Sequence, residues 1–354
     1  MRAAVWHAAR DIRVDDVPTP GDPGAGEVLV AVDLACICAS DLAEYRDGPH
    51  VIPARRPHRL TGRLAPVTLG HEFVGRVVAA GPDVPGLSAG DRVCGDACLR
   101  CGTCFWCRRG EYNICASGGS VGLHADGAFA PYLKVPGYTL HRVPDEVGDR
   151  AAAVVEPLAV GLHGLRRGRV EAGETVVVVG FGMVGAAVTL VASAIGAGRV
   201  IVVEPAPRRA EAARRAGATD VLAPGAELRS EVHARTAGRG ADVVLDCTGR
   251  GDVLPVSVEL SRRGGRVVLC GLAHQPSALR GDRLVYFERE VIGSLGYRHD
   301  HEAVLRLLAA GKVDVGWLFA PAIRLDDIVT HGFDVMDRDT GAGWLRIPVV
   351  TGEA

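Results

Sequence analysis

The chain has 354 residues and almost no lysine: only Lys134 and Lys312 stand against many arginines. That is a compositional habit without functional weight. Other shortages exclude whole classes of protein. No apolar run reaches the roughly 18 residues that a membrane-spanning helix requires. Formal net charge is -2 and the pI is 6.6, so no global basic field is available to hold a phosphate backbone. The opening MRAAVWHAARDIRVDDV lacks the apolar core of a secretory signal and turns acidic. Internal repeats and low-complexity tracts are missing too. The expectation is a cytoplasmic protein with no membrane or nucleic-acid partner, whose thiols stay reduced. With 48% hydrophobic and 23% charged residues, it has the profile of a folded chain of one large or two ordinary domains.

Glycine and cysteine are plentiful, at 46 and 10 residues. In LRCGTCFWCRRGEYNICA, Cys101, Cys104, Cys107 and Cys115 follow one another at steps of three, three and eight. Thiolates stepped this way in a turning loop can converge on one point, with Gly102 and Gly110 supplying the turns. Zinc bound by four thiolates at about 2.3 Å has no open position, so it clasps a loop and does no chemistry. A pair of disulfides fits the expected compartment poorly, and a nucleic-acid zinc knuckle fits the near-neutral charge poorly. A register using Cys98, Cys101, Cys104 and Cys107 stays open on spacing alone.

The first 150 residues alternate apolar and polar positions in short runs such as EVLVAVDLACI and HEFVGRVVAAG, which predicts a β-rich domain. Residues 48–70, with four prolines and four arginines between two such runs, read as a long ordered excursion. From about residue 151, ETVVVVG, a helix from Met183, RVIVVE, an Arg/Ala-rich helix at 208–216, ADVVLDCTG, GGRVVLCG and VIGSLGY alternate strand with helix. The pattern predicts an α/β fold with a doubly wound parallel sheet. After residue 298 the helix HEAVLRLLAAGKVD precedes strand-like pieces expected to fold back on the first domain.

GFGMVG places Gly180, Gly182 and Gly185 in the G-x-G-x-x-G pattern between a predicted strand and helix, with Met183 and Val184 inside it. The next strand ends in Glu204, 19 residues past the last glycine. Gly180 allows the tight turn, Gly182 lets backbone approach a pyrophosphate, and Gly185 lets helix and strand pack closely. Glu204 can accept from both ribose hydroxyls and would repel a 2′-phosphate, which favours NAD. Arg209 is placed to lie over the adenine, whereas Arg208 beside it would suit a phosphate.

Taken singly, Cys38 in CICASDLAEY, His71 in LGHEFVG and Glu156 in VVEPLAVGLHG are unremarkable as a buried thiol, a core histidine and a helix-start carboxylate. Their order along the chain, C-x-S-D, G-H-E, the four-cysteine lobe, V-E-P-L-A-V and G-x-G-x-x-G, resembles the zinc-dependent medium-chain alcohol dehydrogenases over nearly the whole length. Within them it is most similar to 2,3-butanediol dehydrogenases, through the 48–70 excursion and GSLGY, and next to sorbitol dehydrogenases. The latter carry an arginine before a tyrosine where this chain has Gly296 before Tyr297, which counts against a long polyol.

The resemblance implies a GroES-like catalytic domain, 1–155 completed by 291–354, and a Rossmann domain, 156–290. It implies two zinc ions per chain. A catalytic one would be held by Cys38 and His71 with Glu156, Glu72 either exchanging with it or taking its place; a structural one would be held by Cys101, Cys104, Cys107 and Cys115. Ser40 becomes the first proton acceptor, and Asp41 the group that orients His71. It also implies cofactor contacts from Gly180, Gly182, Met183, Val184, Gly185, Glu204, Arg209, Gly271, Leu295 and Tyr297. Where relatives have a relay histidine, this chain has Ala43, leaving cofactor ribose and water, Glu44 or His50 to carry the proton on. The implied activity is hydride transfer between NAD and a secondary alcohol or vicinal diol of the 2,3-butanediol/acetoin type, in a homodimer or homotetramer. The alternatives are a dehydrogenase of a cyclic or sugar-derived polyol and a non-catalytic zinc- and NAD-binding protein.

Overall fold

The structure, a computed structural model, describes residues 1–273, 275–338 and 344–352. Strand Glu27–Cys36 organises the β-rich part. Its valines alternate with less buried positions, giving one face to a core that holds Val28, Val30, Val32, Val77 and Val135. It pairs antiparallel with Glu72–Ala80, Tyr132–Pro136 and Pro348–Val350, within a seven-stranded sheet. The register sets Cys36 opposite both Glu72 and Pro348. Cys38, His71 and Arg346, each within two residues of one of those positions, therefore meet at one end of the sheet although they come from three distant segments.

The second sheet is parallel, with six strands in the order Asp220–Leu222, Arg199–Val203, Thr175–Val179, Ala241–Asp246, Ser261–Leu269 and Glu290–Gly293. Its central strands are apolar through their middles, residues 176–179 and 243–245, because helices cover both faces. Val176 and Val178 pack against Leu158, Leu162, Ala187 and Val191 on one face. Val177 and Val179 pack against Leu228, Val232, Leu254 and Val258 on the other. Each such side chain contributes about 1.5–3 kcal/mol relative to exposure. The strand order reverses between Thr175–Val179 and Ala241–Asp246, and a crevice for a ligand forms at the carboxyl ends of strands at such a point.

Helix Val155–Arg167 joins the halves: its buried residues share one apolar cluster with Leu34, Cys36, Val74 and Cys94 of the first sheet. Its first turn carries Glu156 to the boundary. Among the described residues no helix is long and apolar enough to cross a membrane.

Candidate functional site

Cys38 stands at the N-cap of helix Ala39–Asp47, and its N–H donates to Asp41 Oδ2 at 3.0 Å. That bond fixes the turn presenting the thiol. Asp41 is fully buried, with Oδ1 3.4 Å from His71 Nδ1. On the other side of the ring, Ser40 Oγ and His71 Nε2 are 3.2 Å apart. One donor atom each from Cys38, His71 and Glu72 lies within 4.8 Å of the others.

Behind Glu72 stands Arg346, 3% exposed. Its Nε and Nη2 each donate to a different Glu72 oxygen at 2.6 Å, and Nη2 lies 3.9 Å from Cys38 Sγ. Such a bidentate pair is among the stronger ion pairs. Sequence reasoning missed Arg346; its one signal is a charge inside the apolar run LRIPVV. Burial, with Glu72 adding to it, raises the Cys38 thiol. Burial opposes charge on His71, but Asp41 and Cys38 outweigh it and raise this imidazole well above its usual value. Glu156 is pushed up to about 7 by burial, which His71 only partly offsets.

A thiol and a carboxyl group raised by burial are groups that a divalent cation would stabilise in their charged forms. Sulfur, imidazole nitrogen and carboxylate oxygen are donors that zinc accepts, and three of them leave a coordination position open. Glu156 belongs to the same electrostatic group but lies outside the 4.8 Å set.

The candidate relay groups have other roles in the fold. The Glu44 carboxylate accepts from the N–H groups of His50, Val51 and Ile52 at 2.9, 2.7 and 3.3 Å, anchoring the start of the excursion. The His50 ring is 2.9 Å from Asp47.

In the lobe, Cys101, Cys104, Cys107 and Cys115 form a second donor group. Sulfur separations are 3.5 Å for Cys101–Cys115, 3.9 Å for Cys104–Cys115 and 4.0 Å for Cys101–Cys107. Four sulfurs about 2.3 Å from one ion would be about 3.8 Å apart in a tetrahedron, so the residues fit zinc. Backbone N–H groups of Cys104 and Cys107 point at the sulfurs of Cys101 and Cys104, at 3.3 and 3.5 Å. Bonds of this kind pull Cys101 down to about 6 and lower Cys104. Cys98 is outside the group, its buried thiol near Asp96, Glu156 and Tyr297.

A third group, Asp96, His141 and His301, also comes within 4.8 Å. Its imidazoles stack 4.6 Å apart with planes only 8° from parallel. Ring-nitrogen lone pairs lie in the ring plane, so two stacked rings cannot both aim at one ion.

At the crevice, Gly180 has φ +87°, where a side chain would be strained, and a Cβ on Gly185 would come within 2.0 Å of Gly180 O. Gly182 caps helix Met183–Ala194 and faces open space. Met183 is buried and Val184 partly so. Glu204 Oε2 accepts from Phe181 N–H and Oε1 from Ala206 N–H, both at 2.9 Å, which seats the carboxylate against the glycine loop. Arg209 Nε is buried without a hydrogen-bond partner. Gly271 packs on Gly249 at the end of its strand. Leu295 is half exposed, its carbonyl accepting from Asn113 Nδ2 at 2.9 Å. Tyr297 is buried beside Glu156 and Cys98, its hydroxyl accepting from Ala97 N–H at 2.7 Å.

The chain matches two family descriptions, "Alcohol dehydrogenase GroES-like domain" over residues 24–145 and "Zinc-binding dehydrogenase" over 183–310. It is 34% identical to (R,R)-butanediol dehydrogenase of Bacillus subtilis over 342 residues, 96% of this chain and 97% of that one. It is 32% identical to sorbitol dehydrogenase of the same organism over 332 residues, 92% and 91% of the two chains. Among solved structures, 2R,3R-butanediol dehydrogenase from Bacillus subtilis superposes with a TM-score of 0.93 at 33% identity, covering 99% of both chains. Both family descriptions match, and the likeness to these dehydrogenases runs along nearly the whole chain: the chain belongs to the zinc-binding alcohol dehydrogenase family.

Proposed function

We propose that the protein transfers hydride between NAD and a secondary alcohol, with a vicinal diol or its acyloin as the preferred pair. The observation that carries this reading is the convergence of Cys38, His71 and Glu72 donor atoms within 4.8 Å, with Ser40 beside His71. In this reading Cys38, His71 and Glu72 hold zinc. Arg346 balances Glu72, whose oxygens keep lone pairs for a metal. Glu156, coupled electrostatically to His71 and Glu72, is the alternative carboxylate for the metal.

Zinc bound there would act as a Lewis acid, bringing a hydroxyl's pKa toward neutrality. Ser40 Oγ would take the substrate's proton while passing its own on toward the cofactor ribose and water, and Asp41 would keep the His71 ring oriented; NAD bound at the glycine loop would supply the hydride acceptor. The lobe cysteines hold a second zinc that braces the loop. In this reading the chain divides at about 155 and 290, and the reaction belongs to the cleft between the parts. Glu204 at the glycine loop supports NAD over NADP, since it would repel a 2′-phosphate. Similarity to butanediol dehydrogenases supports a short diol.

A screen of zinc-replete protein tests the reading, with 2,3-butanediol, acetoin, cyclitols and sugar alcohols against NAD and NADP side by side. The expected result is the highest kcat/KM for the short diol with NAD. A preference for a cyclic or sugar-derived polyol would replace the substrate, and a preference for NADP would refute the role of Glu204. Glu204→Ala is expected to weaken NAD binding about tenfold, the scale of one lost charged hydrogen bond.

A further inference from the structure

The parallel sheet has a second feature, on the edge away from the crevice. There the described residues form a cavity of about 900 Å³. Thr175 opens one central strand and Asp242 is second in the next, so the cavity lies at the amino ends of strands whose carboxyl ends carry the glycine loop. Five residues at about 3.3 Å each separate the two edges by roughly 16 Å.

Arginines form the wall: Arg229, Arg239, Arg262, Arg263 and Arg289, with His233 and Phe287 between them. The one carboxylate of the lining, Asp242, is occupied. Its Oδ1 accepts from Arg262 Nε at 2.6 Å and its Oδ2 from Thr175 N–H at 2.8 Å. Behind the wall Glu259 is divided among Arg283, Arg289 and Arg229, at 3.6, 3.8 and 3.9 Å. Arg263 and Arg289 lie over the Phe287 ring at 4.7 and 4.8 Å from its centroid. This local excess of positive charge belongs to a chain whose net charge is -2.

Two polar atoms of the lining are buried without a hydrogen-bond partner, Arg289 Nη1 and His233 Nε2. The Arg289 side chain is 5% exposed, and its Nη2 and Nε donate to the carbonyls of Ser261 and Arg262 at 2.6 and 3.3 Å. Backbone thus holds two nitrogens of the fork, and the third, Nη1, makes no hydrogen bond, with Glu259 Oε1 3.8 Å away as its counter-charge. Burial lowers the Arg289 pKa, Glu259 offsets part of that, and Arg229, Arg283 and Arg263 lower it further. An anion in the cavity would relieve this repulsion and satisfy the unused donor.

Guanidinium forks match phosphate oxygens in pairs, and Arg229, Arg239 and Arg263, together with the one nitrogen left on each of Arg262 and Arg289, exceed what a single phosphate can use. We propose that this cavity binds a multiply phosphorylated small molecule, either a nucleoside triphosphate or an inorganic oligophosphate, separately from the dinucleotide crevice.

Calorimetric titration of the full-length, zinc-replete, NAD-saturated protein with tripolyphosphate tests the proposal, NAD keeping the probe out of the crevice. Saturable binding is expected, weakened at least about tenfold in R239Q/R263Q by the loss of two charged donors. Both arginines are exposed, so the variant is expected to melt like wild type without ligand. It also keeps both proposed metal sites, and heat from metal chelation cancels in the comparison. ATP titrated in parallel separates the sources: binding at least as tight as tripolyphosphate marks a nucleotide, weaker binding the free oligophosphate, and either supports the site. Absence of saturable binding to wild type, or equal affinity in R239Q/R263Q, overturns it.

Discussion

The cysteine lobe and the Cys38 cluster both gather metal-donor atoms, in opposite surroundings. In the lobe, all four thiols lie between residues 101 and 115, and local N–H groups lower Cys101 and Cys104. In the cleft, burial raises Cys38, and charge is balanced by groups from residues 41, 71, 72 and 346. The lobe is a local device that a short peptide nearly specifies. The cleft is a tertiary device that exists only when Glu27–Cys36, Glu72–Ala80 and Pro348–Val350 are in register within one sheet. Damage to the first should therefore stay local, and damage to the second should spread.

The sharpest way to separate them is Cys38→Ser, expected to lower kcat/KM by at least about 10³-fold through loss of a ligand to the Lewis acid, while NAD binding is kept. Near-normal turnover with a fluorescence titration unchanged would remove Cys38 from the proposed ligand set. Arg346→Leu leaves the Glu72 carboxylate buried without its counter-charge. Urea unfolding of zinc-free protein should show a loss of about 3–5 kcal/mol. A loss under about 1 kcal/mol, the range of exposed pairs, would contradict a tertiary balance of charge.

Asp41→Asn keeps the shape of the side chain but removes its charge, and zinc affinity or turnover should fall about 10–100-fold. An unchanged zinc titration would reduce Asp41 to a helix cap. At the small end, Cys104→Ser should remove the lobe's zinc and lower the melting temperature, with kcat per folded molecule within about twofold of wild type. A collapse of kcat in molecules that still melt cooperatively would mean that the lobe reaches into the cleft.

The same division explains what can be read in one dimension. Alternation in EVLVAVD and the unbroken VVVV of the central strand expose the two sheet types, because periodicity is local. The stepped thiols and the glycine pattern are local too, and the lobe's sulfurs lie where their spacing suggests. Glu44 reads as a relay candidate from its nearness to Ser40, yet the fold occupies its oxygens with three backbone N–H groups of the excursion. Tyr297 reads as part of the cofactor edge, but the return of the chain buries it against Glu156 and Cys98. Arg346 is hidden for the same reason, since only strand register brings it to a carboxylate 274 residues away. The arginine cavity escapes notice because its walls come from four separate stretches, at 175, 229–242, 262–263 and 287–289, each bland alone.

The order in which Glu72 and Arg346 are made has a consequence for biosynthesis. A ribosome delivers the acidic partner early, and its guanidinium emerges 274 residues later. Until then the nascent chain carries an unbalanced anion at the spot where the strands must close. Final closure of this sheet is thus deferred until residue 346 has been made, and a message cut short before that codon would yield a product lacking the charge that balances Glu72.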